Sequence, residues 1–393
     1  MERVRGIEPP SQAWEAYVLP LNHTRVAPPD APADPKCSER LARRATCYVA
    51  SPMAELDPDF WPHALSRLIA HQALTADDAA EAMRVIMSGE ASPGQMGGFL
   101  MALRTKGETV DELEGFARTA LGFANPVRAS SPVVDTCGTG GDRSGTFNIS
   151  TIAAIVVAGA GVPVAKHGNR AASSHCGSAD LLEALGVKID LGPKEVERCL
   201  ADAGIGFMFA PVFHPAAAHA GPVRRELRVP TVFNFLGPLT NPARPFAQVV
   251  GVSEERMLPL VAEVLARRGT RAKVFRGEDG LDELTTTGIS TVFDVRDGDV
   301  LEGHLDPATL GLQRSTLEAL HGGAAEEAAL IARAVLAGET GPRRDVVLLN
   351  AAAALEVAGR APTLEYGLQL AAAAIDTGAA AATLDRWVAV STA

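Results

Sequence analysis

Aromatic residues make up only 5% of this 393-residue chain, so alanine, valine and leucine must do most of the packing. Basic charge is also scarce. Lys and Arg number 36 against 47 Asp and Glu, a net charge of −11. That balance disfavours nucleic acid or an anionic membrane as the main partner and makes any phosphate site a local feature. The five cysteines (Cys37, Cys47, Cys137, Cys176, Cys199) are widely spaced and lack a CxxC pair, so neither a disulfide framework nor a zinc site is indicated. The pattern fits a reducing cytoplasm. No apolar run approaches the roughly 20 residues that a membrane span needs, and a secretory pattern is missing from the N-terminus. A cytoplasmic protein without a membrane or nucleic-acid partner is expected.

What is present is 47% hydrophobic content, enough for more than one core. Residues 1–55 hold eight of the 26 prolines and seven basic against seven acidic residues without periodicity, which predicts a disordered extension. The opening run resembles a mistranslated transfer-RNA gene, and Met53 is a candidate true start. From Trp61 the pattern turns helical. Thr75 with Asp78, Ser92 with Gln95 and Thr109 with Glu112 have capping-box spacing. Apolar residues recur at helical intervals, as in Leu65, Leu68 and Ile69, or Leu113, Phe116, Ala117 and Ala120. After Pro126, β-branched runs alternate with alanine-rich helical ones, the pattern of a parallel sheet. Strands are expected at 133–136, 162–165, 206–210, 248–252, 273–276 and 291–295. Three alanine-rich helices are expected between Ala324 and Val390. The fold class is therefore α/β: a small all-helical domain (56–124, joined by part of 214–242) plus a larger α/β domain (125–213 and 243–393). Its central sheet is expected to be mostly parallel and flanked by helices.

Two glycine-rich loops should leave the carboxyl ends of strands, where such sheets bind ligands. In Gly138-Thr139-Gly140-Gly141-Asp142, successive backbone N–H groups lie open to a diphosphate. Asn148-Ile149-Ser150-Thr151 then begins a helix, where N–H groups and the helix dipole favour an anion. Taken alone, Ser150 or Thr151 reads better as a helix cap. The second loop, Lys166-His167-Gly168-Asn169-Arg170 followed by Ser173, Ser174 and Ser178, joins two cations to several hydroxyls and forms a local phosphate cradle. Ser178 stands where an N-cap would. His167 reads as hydrogen-bonded scaffolding and is assigned no proton transfer. Asp282 and Glu283 are adjacent acids in a loop, a set that can take magnesium jointly with phosphate oxygens, although by itself the pair reads better as a solvated acidic turn. Asp279 is read as such a turn.

These stretches, DTCGTGGD, TFNIS, KHGNR, GSADLLEALG, HPA, PTVFNFLGPLTNPA and DGLDELT, occur in the order of the anthranilate phosphoribosyltransferase family, which the chain resembles from about Trp61 to Trp387. The resemblance implies transfer of the 5-phosphoribosyl group from phosphoribosyl pyrophosphate to the amine of anthranilate in tryptophan biosynthesis, with Mg2+, by a homodimer associating through the helical domain. It implies that Gly138, Gly141, Asp142, Thr146, Asn148, Ile149, Ser150, Thr151, Lys166, His167, Gly168, Asn169, Arg170, Ala171, Ala172, Ser173, Ser174 and Ser178 bind the phosphoribosyl donor. Gly138, Asn169 and Arg224 are implied to contact anthranilate, with Arg224 on its carboxylate, and Ser150, Asp282 and Glu283 to hold the metal. Arg143, His175-Cys176 and Arg228 depart from the family pattern, Arg228 at a place often held by glycine. The alternatives are a pyrimidine nucleoside phosphorylase, whose loops differ, and a non-catalytic nucleic-acid-binding relative, which should be basic with a damaged site.

Overall fold

A computed structural model describes residues 57–171 and 176–393. The extension expected at 1–55, with Met53, lies outside the described residues. Four helices come first: α1 (Phe60–Ile69), α2 (Ala76–Met87), α3 (Pro93–Lys106) and α4 (Val110–Gly122). The three expected capping boxes are present. Thr75 Oγ1 accepts from the Asp78 N–H at 3.1 Å while Asp78 accepts from the Thr75 N–H, and the Ser92–Gln95 and Thr109–Glu112 pairs do the same. Such caps contribute about 1 kcal/mol each. Glu112 does more. Its buried carboxylate also accepts from the Leu74 N–H and from Lys106 Nζ, both at 2.9 Å, tying α4 to the start of α2 and the end of α3. Edge-on contacts from Trp61 to Phe99 and from Phe99 to Phe116 fill the centre. Ile69, which shares the helical spacing of Leu65 and Leu68, is 72% exposed, because α1 ends there and packs chiefly on α3.

The rest of the chain alternates strand and helix: β1 (Val134–Gly138), α5 (Ile149–Gly159), β2 (Val164–Gly168), α6 (Ser178–Leu185), α7 (Pro193–Ala203) and β3 (Ile205–Phe209). Then come the short helices α8 (Ala210–Phe213), α9 (Gly221–Leu227) and α10 (Phe233–Leu236), the last two in the stretch from His214 to Pro242 whose sequence suggests a helix followed by irregular backbone. Pro215, Pro222, Pro230 and Pro238 divide it. β4 (Ala247–Gly251), α11 (Leu258–Arg267), β5 (Arg271–Gly277), β6 (Ser290–Arg296) and β7 (Asp299–Leu305) complete the sheet. The last part holds four helices in place of the expected three: α12 (Ala325–Leu336), α13 (Pro342–Val357), α14 (Leu364–Asp376) and α15 (Ala379–Thr392). Only Thr377-Gly378 separates α14 from α15, too brief a break for the alanine pattern to reveal. β7 is absent from the expected strands, since its exposed face lacks a hydrophobic alternation.

The seven strands lie in the order β3-β2-β1-β4-β5-β6-β7, the first five parallel and β6 and β7 antiparallel, which is the expected fold class. One core, rich in alanine and valine from α5 and α13, covers one face. The helical bundle and α11 cover the other. Ion pairs Arg104–Glu254, Arg256–Glu108, Arg267–Asp111 and Arg268–Glu114, at 2.6–2.9 Å, join the bundle to the segment around α11. From β1 the chain steps outward through β2 and β3 and returns to β4 on β1's other side. The carboxyl ends of β1 and β4 thus flank the topological switch point, where ligands bind in such sheets.

Candidate active site

At that switch point β1 and β4 both end in glycine, Gly138 opposite Gly251, and the loop carrying Asp282 and Glu283 lies directly on them. A Cβ at Gly251 would fall 1.6 Å from the Asp282 carbonyl oxygen, and one at Gly138 would fall 2.4 Å from Asp282 Oδ2. The bare backbone of both strands is what lets the acid loop approach. From there Asp282 Oδ2 accepts from the Gly140 N–H at 2.7 Å, and Glu283 Oε1 accepts from the Ser150 N–H at 3.1 Å at the start of α5. One acidic pair therefore bridges the first glycine-rich loop and the helix after it. Asp142 faces the same place and accepts from Ser144 Oγ at 2.7 Å, with Thr146 Oγ1 3.1 Å beyond. Asp279 departs from the solvated turn expected of it. It accepts from the Thr285 and Thr287 hydroxyls and from the Leu281 N–H, bracing the loop internally.

Lys166, at the end of β2, is 1% exposed; its ammonium donates to the Thr136 carbonyl and lies 3.4 Å from Ser150 Oγ. Burial lowers its pKa, and Asp135 and Glu283 oppose that shift. Among the described residues Lys166 makes no direct ion pair, so the cation keeps donor capacity toward the loops. Behind it Asp135, fully buried, accepts from the His167 N–H at 3.3 Å and from Asn241 Nδ2 at 2.8 Å. His167 Nδ1 donates to the Gly237 carbonyl at 3.0 Å, and its ring stands 4.9 Å from that of His214. Burial depresses His167 to about 3 and His214 to about 4. Both rings are neutral at physiological pH, as scaffolding should be.

The second loop is only partly as expected. Ala172, Ser173 and Ser174 lie outside the described residues. Ser178 is the first residue of α6 and Gly177 its N-cap, with the Gly177 N–H donating to Asp180 at 2.9 Å, while Ser178 Oγ accepts from Thr151 Oγ1 at 3.1 Å. Arg170 turns away from the expected two-cation cradle. Its guanidinium holds Asp180 at 2.9 Å and Glu183 at 2.5 Å and lies 5.5 Å over the Phe209 ring, because α6 offers it two acids. Asp180 also accepts from the Ala171 N–H at 3.0 Å, fixing the loop's base. Asn169 is exposed, and among the described residues it accepts through its oxygens from the Arg170 and Ala179 N–H groups. Asn148 Nδ2 donates to the Cys176 carbonyl at 3.0 Å, and its Oδ1 is buried with no partner among the described residues. Ile149 is buried beneath these groups and Gly168 abuts the Phe207 ring. Arg224, on α9, is half-buried with its guanidinium 5.2 Å over the Phe233 ring, and no described acid pairs with it. Burial alone lowers its pKa.

Electrostatically the acid pair is under-compensated. Burial is the largest cause lifting both carboxyl groups above their ordinary range; next come the neighbouring Asp142 for Asp282, and Asp282 itself for Glu283. A cation brought there relieves this repulsion. Among the described residues no group of three or more His, Cys, Asp or Glu side chains could hold a metal alone. Hard divalent cations such as Mg2+ commonly take one or two carboxylates and complete their shell with phosphate and water oxygens. Two contributors escape a reading of the sequence. Ser253, just past β4, donates to the Gly140 carbonyl at 2.8 Å and lies 3.1 Å from Thr139 Oγ1, and Gly251 provides the seat described above. No local signal marks either, since both act on residues distant in sequence.

The chain matches the glycosyl transferase family a/b domain over residues 130–381 and that family's helical bundle domain over residues 62–124. It is 56% identical over 337 residues to the anthranilate phosphoribosyltransferase of Arthrobacter sp. (strain FB24), covering 84% of this chain and 96% of that one. Among solved structures, the enzyme of that name from Thermus thermophilus superposes with a TM-score of 0.80 at 47% identity, covering 84% of this chain and 99% of that one. The Saccharomyces cerevisiae enzyme in complex with PRPP and Mg gives 0.80 at 27% identity, covering 86% and 99%. The same yeast enzyme in complex with 4-fluoroanthranilate gives 0.76 at 27%, covering 85% and 99%.

Proposed function

The chain belongs to the anthranilate phosphoribosyltransferases of the glycosyl transferase family, and from that premise we propose how its own residues divide the work. The reaction joins the 5-phosphoribosyl group of phosphoribosyl pyrophosphate to the amine of anthranilate and releases pyrophosphate. Positive charge builds on the ribosyl carbon and negative charge on the leaving group, so the site needs N–H donors and cations around the latter. Bound Mg2+, held by Asp282, Glu283 and Ser150, supplies charge neutralisation for the departing pyrophosphate.

Gly138, Gly141, Asp142, Thr146, Asn148, Ile149, Ser150, Thr151, Lys166 and the loop His167 to Ser174, with Ser178, receive the donor. Lys166 contributes the nearest cation, one without a direct ion pair among the described residues. Arg170 acts through its hold on α6, fixing the loop's shape. Anthranilate lies against Gly138, Asn169 and Arg224. The single observation that carries this assignment is Arg224: a half-buried guanidinium stacked on Phe233 with no described acid to neutralise it is suited to an aromatic carboxylate. No residue is assigned as general base. An aryl amine is already a neutral nucleophile, and orienting it against the ribosyl carbon recovers on the order of 7–11 kcal/mol of barrier. The pKa of His167, depressed to about 3, makes its neutral ring a weak base at physiological pH, and its one N–H is engaged on the Gly237 carbonyl.

The protein is proposed to work in the cytoplasm as a homodimer joined through the helical bundle, whose surface shows the exposed Ile69. No helix among the described residues is long and apolar enough to cross a membrane. The test is loss of anthranilate fluorescence with phosphoribosyl pyrophosphate and Mg2+. Arg224→Ala should raise the anthranilate KM about 10- to 100-fold, the worth of a charge-assisted hydrogen-bond pair. Unchanged anthranilate kinetics in that variant would remove the carboxylate assignment, and turnover of thymidine with phosphate in place of anthranilate would remove the whole reading.

A further inference from the structure

Helix α13 is buried without a break from Val346 to Val357, and most of that run is alanine, leucine and valine. Asn350, near its centre, is 2% exposed. An amide buried in apolar surroundings is costly unless its polar atoms are paired, and asparagine is a poor helix former besides. Here every polar atom is paired, and two of the bonds leave the helix for a single residue. Asn350 Oδ1 accepts from the Leu284 N–H at 3.0 Å, and Nδ2 donates to the Leu284 carbonyl at 2.9 Å and to the Val346 carbonyl at 2.9 Å. Leu284 directly follows Asp282 and Glu283.

Asp279 and Ser290 brace the flanking Leu281 and Thr285 within the loop, and the bonds that tie the pair to the first glycine-rich loop and α5 are made by the carboxylates themselves, to the Gly140 and Ser150 N–H groups. Lone pairs used there compete with a cation for the same oxygens. The grip of Asn350 is on the backbone and survives whatever the carboxylates bind. We propose that Asn350 is a positioning residue for the reaction: by clamping both backbone groups of Leu284 from α13, it holds the Asp282–Glu283 pair in register with the first glycine-rich loop so that a divalent cation and a diphosphate can be taken together. The inference rests on the reading of that acid pair given under Proposed function.

The test measures Mn2+ binding to the full chain in the presence of pyrophosphate, by electron paramagnetic resonance, beside the Mg2+ activation midpoint and the anthranilate KM. Asn350→Leu removes the clamp at similar volume and should weaken Mn2+ binding about 10- to 100-fold, the usual cost of losing an outer partner of a metal ligand. The anthranilate KM should hold. Val346→Ala, a core truncation one turn away that keeps its carbonyl, should lower stability while leaving Mn2+ affinity unchanged. If Asn350→Leu does not fold, the smaller Asn350→Ala, which also removes both the donor and the acceptor, should show the same weakening. Wild-type Mn2+ affinity in the folded Asn350 variant, or equal weakening in Val346→Ala, would overturn the proposal. The double variant Asp282→Asn, Glu283→Gln separates the two readings: if it bound Mn2+ and pyrophosphate like the wild type, the acid-pair assignment itself would fail.

Discussion

Replacing Gly251 by alanine adds one methyl group where, among the glycines of the described residues, an added Cβ meets its nearest neighbour. The new Cβ would lie 1.6 Å from the Asp282 carbonyl oxygen and 2.3 Å from its carbonyl carbon. Carbon and oxygen rest at about 3.3–3.6 Å even in favourable contact, so the acid loop must retreat by roughly 1.5–2 Å. The obstacle is backbone on both sides, and no rotamer change relieves it. The retreat would pull Asp282 off the Gly140 N–H and Glu283 off the Ser150 N–H, now at 2.7 and 3.1 Å. Overpacking costs about 1–3 kcal/mol of stability. A displacement of about 1 Å at reacting groups can cost on the order of 100-fold in rate, equivalent to about 2.7 kcal/mol. Gly251→Ala is therefore expected to fold, to unfold at lower denaturant than the wild type, and to lose at least about 100-fold in kcat/KM by the fluorescence assay. Gly94→Ala, where an added Cβ meets nothing within 4 Å, serves as the control and should keep its rate. A Gly251→Ala enzyme within a few-fold of wild-type turnover would refute the argument that the bare strand ends seat the acid loop.

Arg228 closes α9 at φ +54°, a left-handed conformation that costs a side chain about 1–2 kcal/mol, so Arg228→Gly should stabilise by about 1 kcal/mol in urea denaturation, and a destabilised variant would contradict this. Glu112→Ala should cost about 3–5 kcal/mol, because it strands the buried Lys106 ammonium and two N–H groups; a loss below about 1 kcal/mol would show that water repairs the site. Because folding depresses His167 and His214 to about 3 and about 4, their contribution to stability is complete above the ordinary histidine pKa. As pH falls from about 6.5 toward 4, the unfolded chain takes up protons that the folded one refuses, and each histidine should cost up to about 1.4 kcal/mol per pH unit. Stability followed by chemical denaturation from pH 7 to 4.5 should show this slope, and a wild-type slope in His167→Gln would place the proton uptake elsewhere.

What the sequence reveals is mostly local. Thr75, Ser92 and Thr109 announce their helices because a cap and its partner lie three residues apart. The first glycine-rich loop and the Asp282-Glu283 pair stand out because each concentrates its chemistry in a few consecutive residues. That the two meet could be expected only from the family resemblance, since no periodicity links Gly140 to Asp282. Arg170 reads as a phosphate cation because it follows a lysine-bearing strand, yet Asp180 and Glu183 on the next helix capture it. Asp279 looks solvated beside three other acids, and only the fold shows the Thr285 and Thr287 hydroxyls turned toward it. Asn350 and Gly251 look like ordinary members of their helix and strand until the chain that presses on them is seen.

The central place of β1 has a consequence for how the enzyme comes into being. Gly140 and Asp282 bond across 142 residues of chain, and β1 pairs with β4 only after β2, β3 and the turns that complete the helical bundle have been made. Closing such long loops delays contact formation and leaves strand edges open in the meantime. On the ribosome, the four-helix segment can take shape early from its own caps. The switch point stays unpaired until the second half of the sheet emerges. Truncated or stalled chains should therefore carry a folded bundle with an open β1 edge, a species prone to join its neighbours, and catalytic competence should appear late and in a single step.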